Sequence, residues 1–107
     1  MTNFGKLALA TLVGLSLVGA TLSADSAKGQ KLYKKKLKSA CGFSGAAMAA
    51  KHTQDEWDEI NDAGKMKDEI KTLCPSVKDK ALKSKYLGNY YDFFHNFASD
   101  SGNVPSC

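Results

Sequence analysis

Arginine is absent from this sequence, and its absence counts against nucleic acid as a partner. The 107-residue chain contains 15 basic residues, and every one of them is lysine. Recognition of base edges and phosphates relies on the planar, bidentate guanidinium group, which the lysine ammonium group does not reproduce. We therefore expect the formal net charge of +4 to attract an acidic protein or another anionic surface, and we expect no nucleic-acid partner.

The sequence also lacks the patterns of strands, repeats and common catalytic sites. It has only two prolines, no internal repeat, and no segment in which apolar and polar residues alternate as in a half-buried strand. There is no glycine-rich phosphate loop, and the acidic residues are spread along predicted helix surfaces. These absences favour an all-α protein that is not an enzyme.

Residues 1–24 have the features of a secretory signal peptide. Lys6 gives the segment a positive start, residues 7–20 form an uncharged apolar run, and the small residues Ser23 and Ala24 follow. The run is shorter than the about 20 residues that a membrane-spanning helix needs. We expect cleavage after Ala24 and export to the periplasm without a stable membrane span; a retained membrane anchor is the alternative.

Three cysteines in an oxidising compartment predict one disulfide and one remaining thiol. Cys41 follows the first predicted helix and Cys74 ends the second, so both lie on ordered elements. Cys107 ends a tail that loses conformational entropy before it can form a bond. The prediction is therefore a bond between Cys41 and Cys74, and the alternative is a bond between Cys41 and Cys107.

The first of three predicted helices covers residues 26–39 and is rich in lysine. Gly29, Tyr33 and Leu37 follow one another at spacings of four and predict one buried face. Lysines occupy the other faces, and an electrostatic docking surface for an acidic periplasmic protein is one interpretation of them. An ordinary solvated surface is the other. The docking interpretation assigns the contact to Lys31, Lys34, Lys35 and Lys38.

The second and third helices follow a segment of small residues, 41–50, which we expect to form a close-packed loop. Thr53 and Glu56 have the spacing of a capping box and predict the start of the second helix. That helix is expected to continue to Leu73 with a kink or break at Gly64. The third begins at residue 77 or 83 and ends near residue 98. Its apolar stripe is aromatic and consists of Tyr86, Tyr90, Phe93, Phe94 and Phe97.

The order of these features resembles a small class I c-type cytochrome domain. Gly29 and Tyr33 match the glycine and aromatic residue, four apart, in the first helix of that family. Leu87 and Tyr90 match the leucine and tyrosine, three apart, in its last helix. In the family these four positions meet where the terminal helices cross. The resemblance implies a three-to-four-helix domain over residues 25–98.

The haem-attachment motif of that family, Cys-x-x-Cys-His, is missing. Cys41 is followed by Ser44 and Gly45 at the positions of the second cysteine and the histidine. The resemblance therefore implies that the domain over residues 25–98 carries no covalent haem. An irregular tail over residues 99–107 follows this domain. Its expected role is to bind or assist periplasmic redox proteins.

An electron-transfer protein with non-covalently bound haem is the alternative function. Histidine and methionine together form a known pair of axial haem ligands. His52, with Met66 or Met48, would supply that pair in this chain. Each of the three residues also has a structural interpretation, since His52 precedes a helix cap and both methionines lie in segments expected to pack.

We predict that the mature protein begins at Asp25. Cleavage after Ala24 would remove 24 residues, and an intact-mass measurement on the protein exported by its own host checks this. Retention of the apolar run at residues 7–20 would instead indicate a membrane anchor.

Overall fold

A computed structural model describes residues 24–105, which form an all-α domain. These residues contain five α-helices and one short 3₁₀ turn, without any strand, and so confirm the predicted fold class. Every helix in this part of the chain is too short or too polar to cross a membrane. The predicted signal peptide, except Ala24, lies outside the described residues, as does Cys107.

Helix α1 covers residues 24–41 and contains a π-helical turn at its centre. It consists of Ala24–Leu32, the π turn Tyr33–Leu37 and Lys38–Cys41. Side chains four residues apart point to nearly the same side of a helix. The two ends of the π turn, Tyr33 and Leu37, are therefore both fully buried, as their spacing predicted.

The segment predicted as a loop contains a second, short helix, α2, over Gly45–Ala49. Its first turn forms because the Ser44 hydroxyl accepts a hydrogen bond from the backbone N–H of Ala47 at 3.1 Å. The loop prediction was therefore wrong for this stretch. The preceding Gly42, with φ of 79°, ends α1 in the left-handed conformation.

The helix predicted over residues 54–73 is divided into α3, Gln54–Asp62, and α4, Met66–Leu73. The capping box at the start of α3 is confirmed, because the Thr53 hydroxyl accepts from the Glu56 N–H at 3.1 Å and the Glu56 carboxylate accepts from the Thr53 N–H at 2.9 Å. Gly64 has φ of 72° and breaks the helix.

The 3₁₀ turn Asp79–Leu82 leads into α5, Ser84–Asn96, which contacts every other element. Three aromatic residues of α5, Tyr90, Phe93 and Phe94, are fully buried. The predicted aromatic stripe therefore faces the core, except that Tyr86 is half-buried.

Trp57 lies at the centre of the aromatic core. Its ring centroid is 4.8 Å from that of Phe94, which in turn stacks on Tyr90 at 6.2 Å. The indole N–H donates a hydrogen bond to the Ala49 carbonyl at 2.9 Å, so the only polar atom of the side chain is satisfied inside the core. Trp57 thus joins α3 to α5 through ring contacts and to α2 through a hydrogen bond.

Helices α1 and α5 are in close contact at Gly29. A β-carbon at this position would lie 2.0 Å from the carbonyl oxygen of Asn89 and 2.8 Å from the β-carbon of Phe93. The first of these neighbours is backbone and cannot rotate away. Only glycine therefore allows the two helices to cross at this distance.

We predict that Gly29→Ala lowers the free energy of unfolding by about 2–3 kcal/mol, since the added methyl group forces the helices apart. Denaturant unfolding measures the loss. Gly88→Ala is the matched control, because Gly88 also lies in a helix but a β-carbon added there would have no neighbouring atom within 4 Å. That control should gain up to about 1 kcal/mol from helix propensity. Equal stabilities of the two variants would contradict the close crossing.

Candidate functional site

The surface of α1 opposite its buried side is a lysine face, made of Lys31, Lys34, Lys35 and Lys38. All four side chains are exposed, as the sequence predicted. Among residues 26–105, none of the four forms an ion pair. Their ammonium groups therefore remain hydrated and produce an uncompensated positive field on one side of the molecule.

Two lysines of α4 have a different environment. Lys67 and Lys71 both lie next to Asp79, and the hydrogen bond from Lys71 holds the pKa of that carboxyl below its usual range. The pairs are exposed and contribute little to stability. They do, however, hold the carboxylate of Asp79 next to α4.

Both ring nitrogens of His52 face carboxylates. Nε2 lies 2.6 Å from Oε2 of Glu69, and Nδ1 lies 3.4 Å from Oε1 of Glu56. The ring stands edge-on to Trp57, with centroids 4.7 Å apart. The pKa of Glu56 is lowered, first by the hydrogen bond from the backbone N–H of Thr53 and then by His52. These contacts link the start of α3 to α4.

The surroundings of His52, Met48 and Met66 do not fit haem. Iron binding would require one ring nitrogen of His52, but both are engaged by carboxylates. The two methionine side chains are buried in the apolar core. The three residues thus lie in a packed domain, and the histidine and methionine side chains do not face an open space as axial haem ligands would.

Cys41 and Cys74 form a disulfide, as predicted, with their α-carbons 4.7 Å apart. The bond ties the end of α1 to the end of α4. The two cysteines are 33 residues apart in the sequence. In the chain-entropy account, closing a loop of this length stabilises the fold by about 4 kcal/mol.

A second polar cluster, not expected from the sequence, joins α3 to α5. The Tyr91 hydroxyl donates a hydrogen bond to Oδ1 of Asp58, and Nε2 of His95 lies 3.3 Å from the same oxygen. Asp58 and Tyr91 are 33 residues apart, and no local pattern indicates that they meet. Burial and the hydrogen bond to Asp58 raise the pKa of Tyr91 to about 12.

The irregular tail folds back onto the start of α3. The backbone N–H of Ser99 donates to the carbonyl of His52 at 3.0 Å, and the Asp100 carboxylate accepts from the N–H of Gln54 at 2.9 Å. Asp100 thus satisfies a helix N-terminal amide from 46 residues away in the sequence. These contacts hold the described part of the tail, residues 99–105, against the domain.

The acidic and histidine side chains of the described residues do not assemble into a metal centre, since no group of three His, Cys, Asp or Glu side chains has the necessary arrangement there. Each polar cluster instead joins two elements of the fold. The lysine face is therefore the candidate functional site.

Comparison with protein-family models, curated protein sequences and solved structures finds no match to this chain.

We predict that stability falls between about pH 10 and pH 12 as Tyr91 loses its proton. An unfolded tyrosine ionises near pH 10, whereas the folded pKa of Tyr91 is about 12. Because the pKa of Tyr91 is higher in the folded state, the protonated hydroxyl stabilises that state. This stabilisation is complete below the unfolded pKa and disappears as the pH rises through the folded pKa. Denaturant unfolding across this range, with tyrosinate absorbance, measures the effect.

Tyr91→Phe and Asp58→Asn test the assignment. The first variant should lose the absorbance step of Tyr91 and show a smaller fall in stability. The second should move the Tyr91 pKa down towards its ordinary value. An alkaline profile that is identical in all three proteins would contradict the prediction.

Proposed function

We propose that this chain is an exported, cytochrome c-like domain without haem that binds an acidic protein partner through the lysine face of α1 and is not an enzyme. The resemblance to c-type cytochromes makes a periplasmic redox protein the expected class of partner. The main observation behind the proposal is that Lys31, Lys34, Lys35 and Lys38 are exposed and form no ion pair within residues 26–105.

The physical state of these lysines suits rapid, reversible docking. Exposed charges of one sign steer an oppositely charged protein during encounter and raise the association rate. At physiological ionic strength their field extends over about 8 Å before it is screened. The rigid helix beneath them is anchored by Tyr33 and Leu37, so their spacing does not depend on a mobile loop.

The helix crossing supports the cytochrome c-like part of the proposal. Gly29 packs against Asn89 and Phe93, and the Tyr33 ring lies 6.1 Å from that of Phe93. In the family that the sequence resembles, a glycine and an aromatic residue of the first helix occupy the same kind of crossing with the last helix. Leu87, the other residue matched in the last helix, packs against the same core.

The contacts of the predicted cofactor residues favour a binding role over electron transfer by this chain itself. Cys41, at the position of a haem-linking cysteine, is bonded to Cys74. His52 interacts with Glu69 and Glu56. The aromatic contacts around Trp57 and the disulfide give the domain sources of stability that do not require a cofactor.

We predict that replacing Lys31, Lys34, Lys35 and Lys38 with glutamine slows association with the partner at least about tenfold at low ionic strength and flattens its salt dependence. The partner is first isolated by cross-linking from the exported proteins of the host. Stopped-flow or surface-based kinetics then give the rate constants. The fold should be retained, since all four side chains are exposed.

A control variant has the same change in net charge but carries glutamine in place of Lys51, Lys65, Lys67 and Lys78. These four lysines lie outside α1 and are also exposed. Equal effects of the two variants would mean that only the net charge affects association. An unchanged association rate in the α1 variant would mean that its lysines form an ordinary solvated surface. An absorption spectrum of the host-purified protein tests the haem-free state, because a Soret band would contradict it.

A further inference from the structure

A groove of about 370 Å³ lies beside the lysine face, between α1 and the 3₁₀ turn. Four lysines, one alanine and one tyrosine line it. These residues are Lys35, Lys36, Lys80, Ala81, Lys83 and Tyr86. Among the described residues, no acidic side chain lines it, so the groove is a concave surface of strongly positive potential.

Tyr86 holds two ammonium groups close to the groove. Nζ of Lys36 lies 4.9 Å from the centroid of its ring, and Nζ of Lys85 lies 5.3 Å from it. Both distances are within the range of cation–π attraction. The half-buried ring therefore restrains two flexible side chains, and an anion that enters the groove meets charges that are already partly positioned.

The nearest acidic residue along the chain does not neutralise these lysines. Asp79 begins the 3₁₀ turn, but its carboxylate is held by Lys71 and Lys67 of α4. The groove lysines consequently repel one another, and a bound anion would relieve that repulsion.

We infer that this lysine groove binds an acidic segment of the protein partner, whose aspartate or glutamate carboxylates pair with Lys35, Lys80 and Lys83. The inference rests on the proposed function and deepens it, because it assigns the partner's recognition element and the subsite that receives it. Lys35 belongs to both the groove and the lysine face, so the two form one continuous surface.

The shape of the groove favours a segment of a larger partner over a small anion. Pockets for small ligands usually bury 70–90% of the ligand surface. Here Lys35, Lys80 and Lys83 are exposed, so a small anion would stay largely in water. A protein partner covers the groove with its own surface and can place several carboxylates in it together.

A membrane surface is a less suitable occupant. Membrane-binding surfaces combine basic residues with apolar side chains that enter the lipid. Among the described residues, the large apolar side chain that is exposed is Val104, and it lies at a different groove, next to Phe97 and Ala98. The lysine groove therefore offers charge without an apolar anchor.

Binding of a short poly-glutamate peptide to the mature chain at low ionic strength tests the inference. Lys80→Gln combined with Lys83→Gln should weaken binding about tenfold, as measured by isothermal titration calorimetry. Lys51→Gln with Lys65→Gln removes the same charge elsewhere and should change the affinity less than about twofold. In NMR spectra, the backbone amides of Ala81 and Tyr86 should shift on addition of the peptide.

Several outcomes would overturn the inference. Equal losses in the two double variants, or no peptide binding by the wild-type chain, would remove the groove as a specific site. If the chain bound phosphatidylglycerol vesicles through Lys80 and Lys83 but did not bind the peptide, the groove would be a membrane-binding site and not a site for an acidic segment. The proposed function is judged separately by the association kinetics of the α1 variant, so failure of the groove can be told apart from failure of the proposed function.

Discussion

Helix α1 meets helix α5 at Gly29, where the carbonyl group of Asn89 occupies the space that any β-carbon would need. The rest of the domain depends on this close contact, because α5 is the element against which all other elements pack. The crossing brings the ring of Tyr33 to Phe93 and Phe94, and so connects α1 to the aromatic core. A wider separation would leave these rings without their neighbours.

The burial of Tyr33 and Leu37 determines which side of α1 faces solvent. With these two side chains in the core, the lysine face of the same helix is exposed. At the end of the helix, Gly42 turns the chain, and the bond from Cys41 to Cys74 holds that end against α4. Packing, turn and disulfide together fix the orientation of the lysines.

The ion pairs of the described residues all lie outside α1. Carboxylates of α3 and α4 interact with His52 and His95, and Asp79 interacts with two lysines of α4. The lysines of α1 and of the adjoining groove form no ion pair within residues 26–105. The lysine face therefore carries an uncompensated positive field, and the proposed docking of an acidic partner rests on it.

Much of the local structure was predictable because it depends on interactions between residues close in sequence. The spacing of Gly29, Tyr33 and Leu37 indicated the buried side of α1, and the capping box at Thr53 indicated the start of α3. The exposure of the α1 lysines followed from the same periodicity. Helix α2 was missed because its cap consists of one hydroxyl, that of Ser44, in a segment whose glycines suggested a loop.

The sequence by itself determined the helical class, the lysine-rich surface of the first helix and the most favourable pairing of Cys41 with Cys74. Only the tertiary structure decided which polar groups meet across the chain, such as Asp58 with Tyr91 and Asp100 with the start of α3. It alone also placed Lys80 and Lys83 beside α1 to form the groove. These contacts join residues that are distant in sequence, and their positions depend on how closely α1 and α5 pack, which no local periodicity specifies.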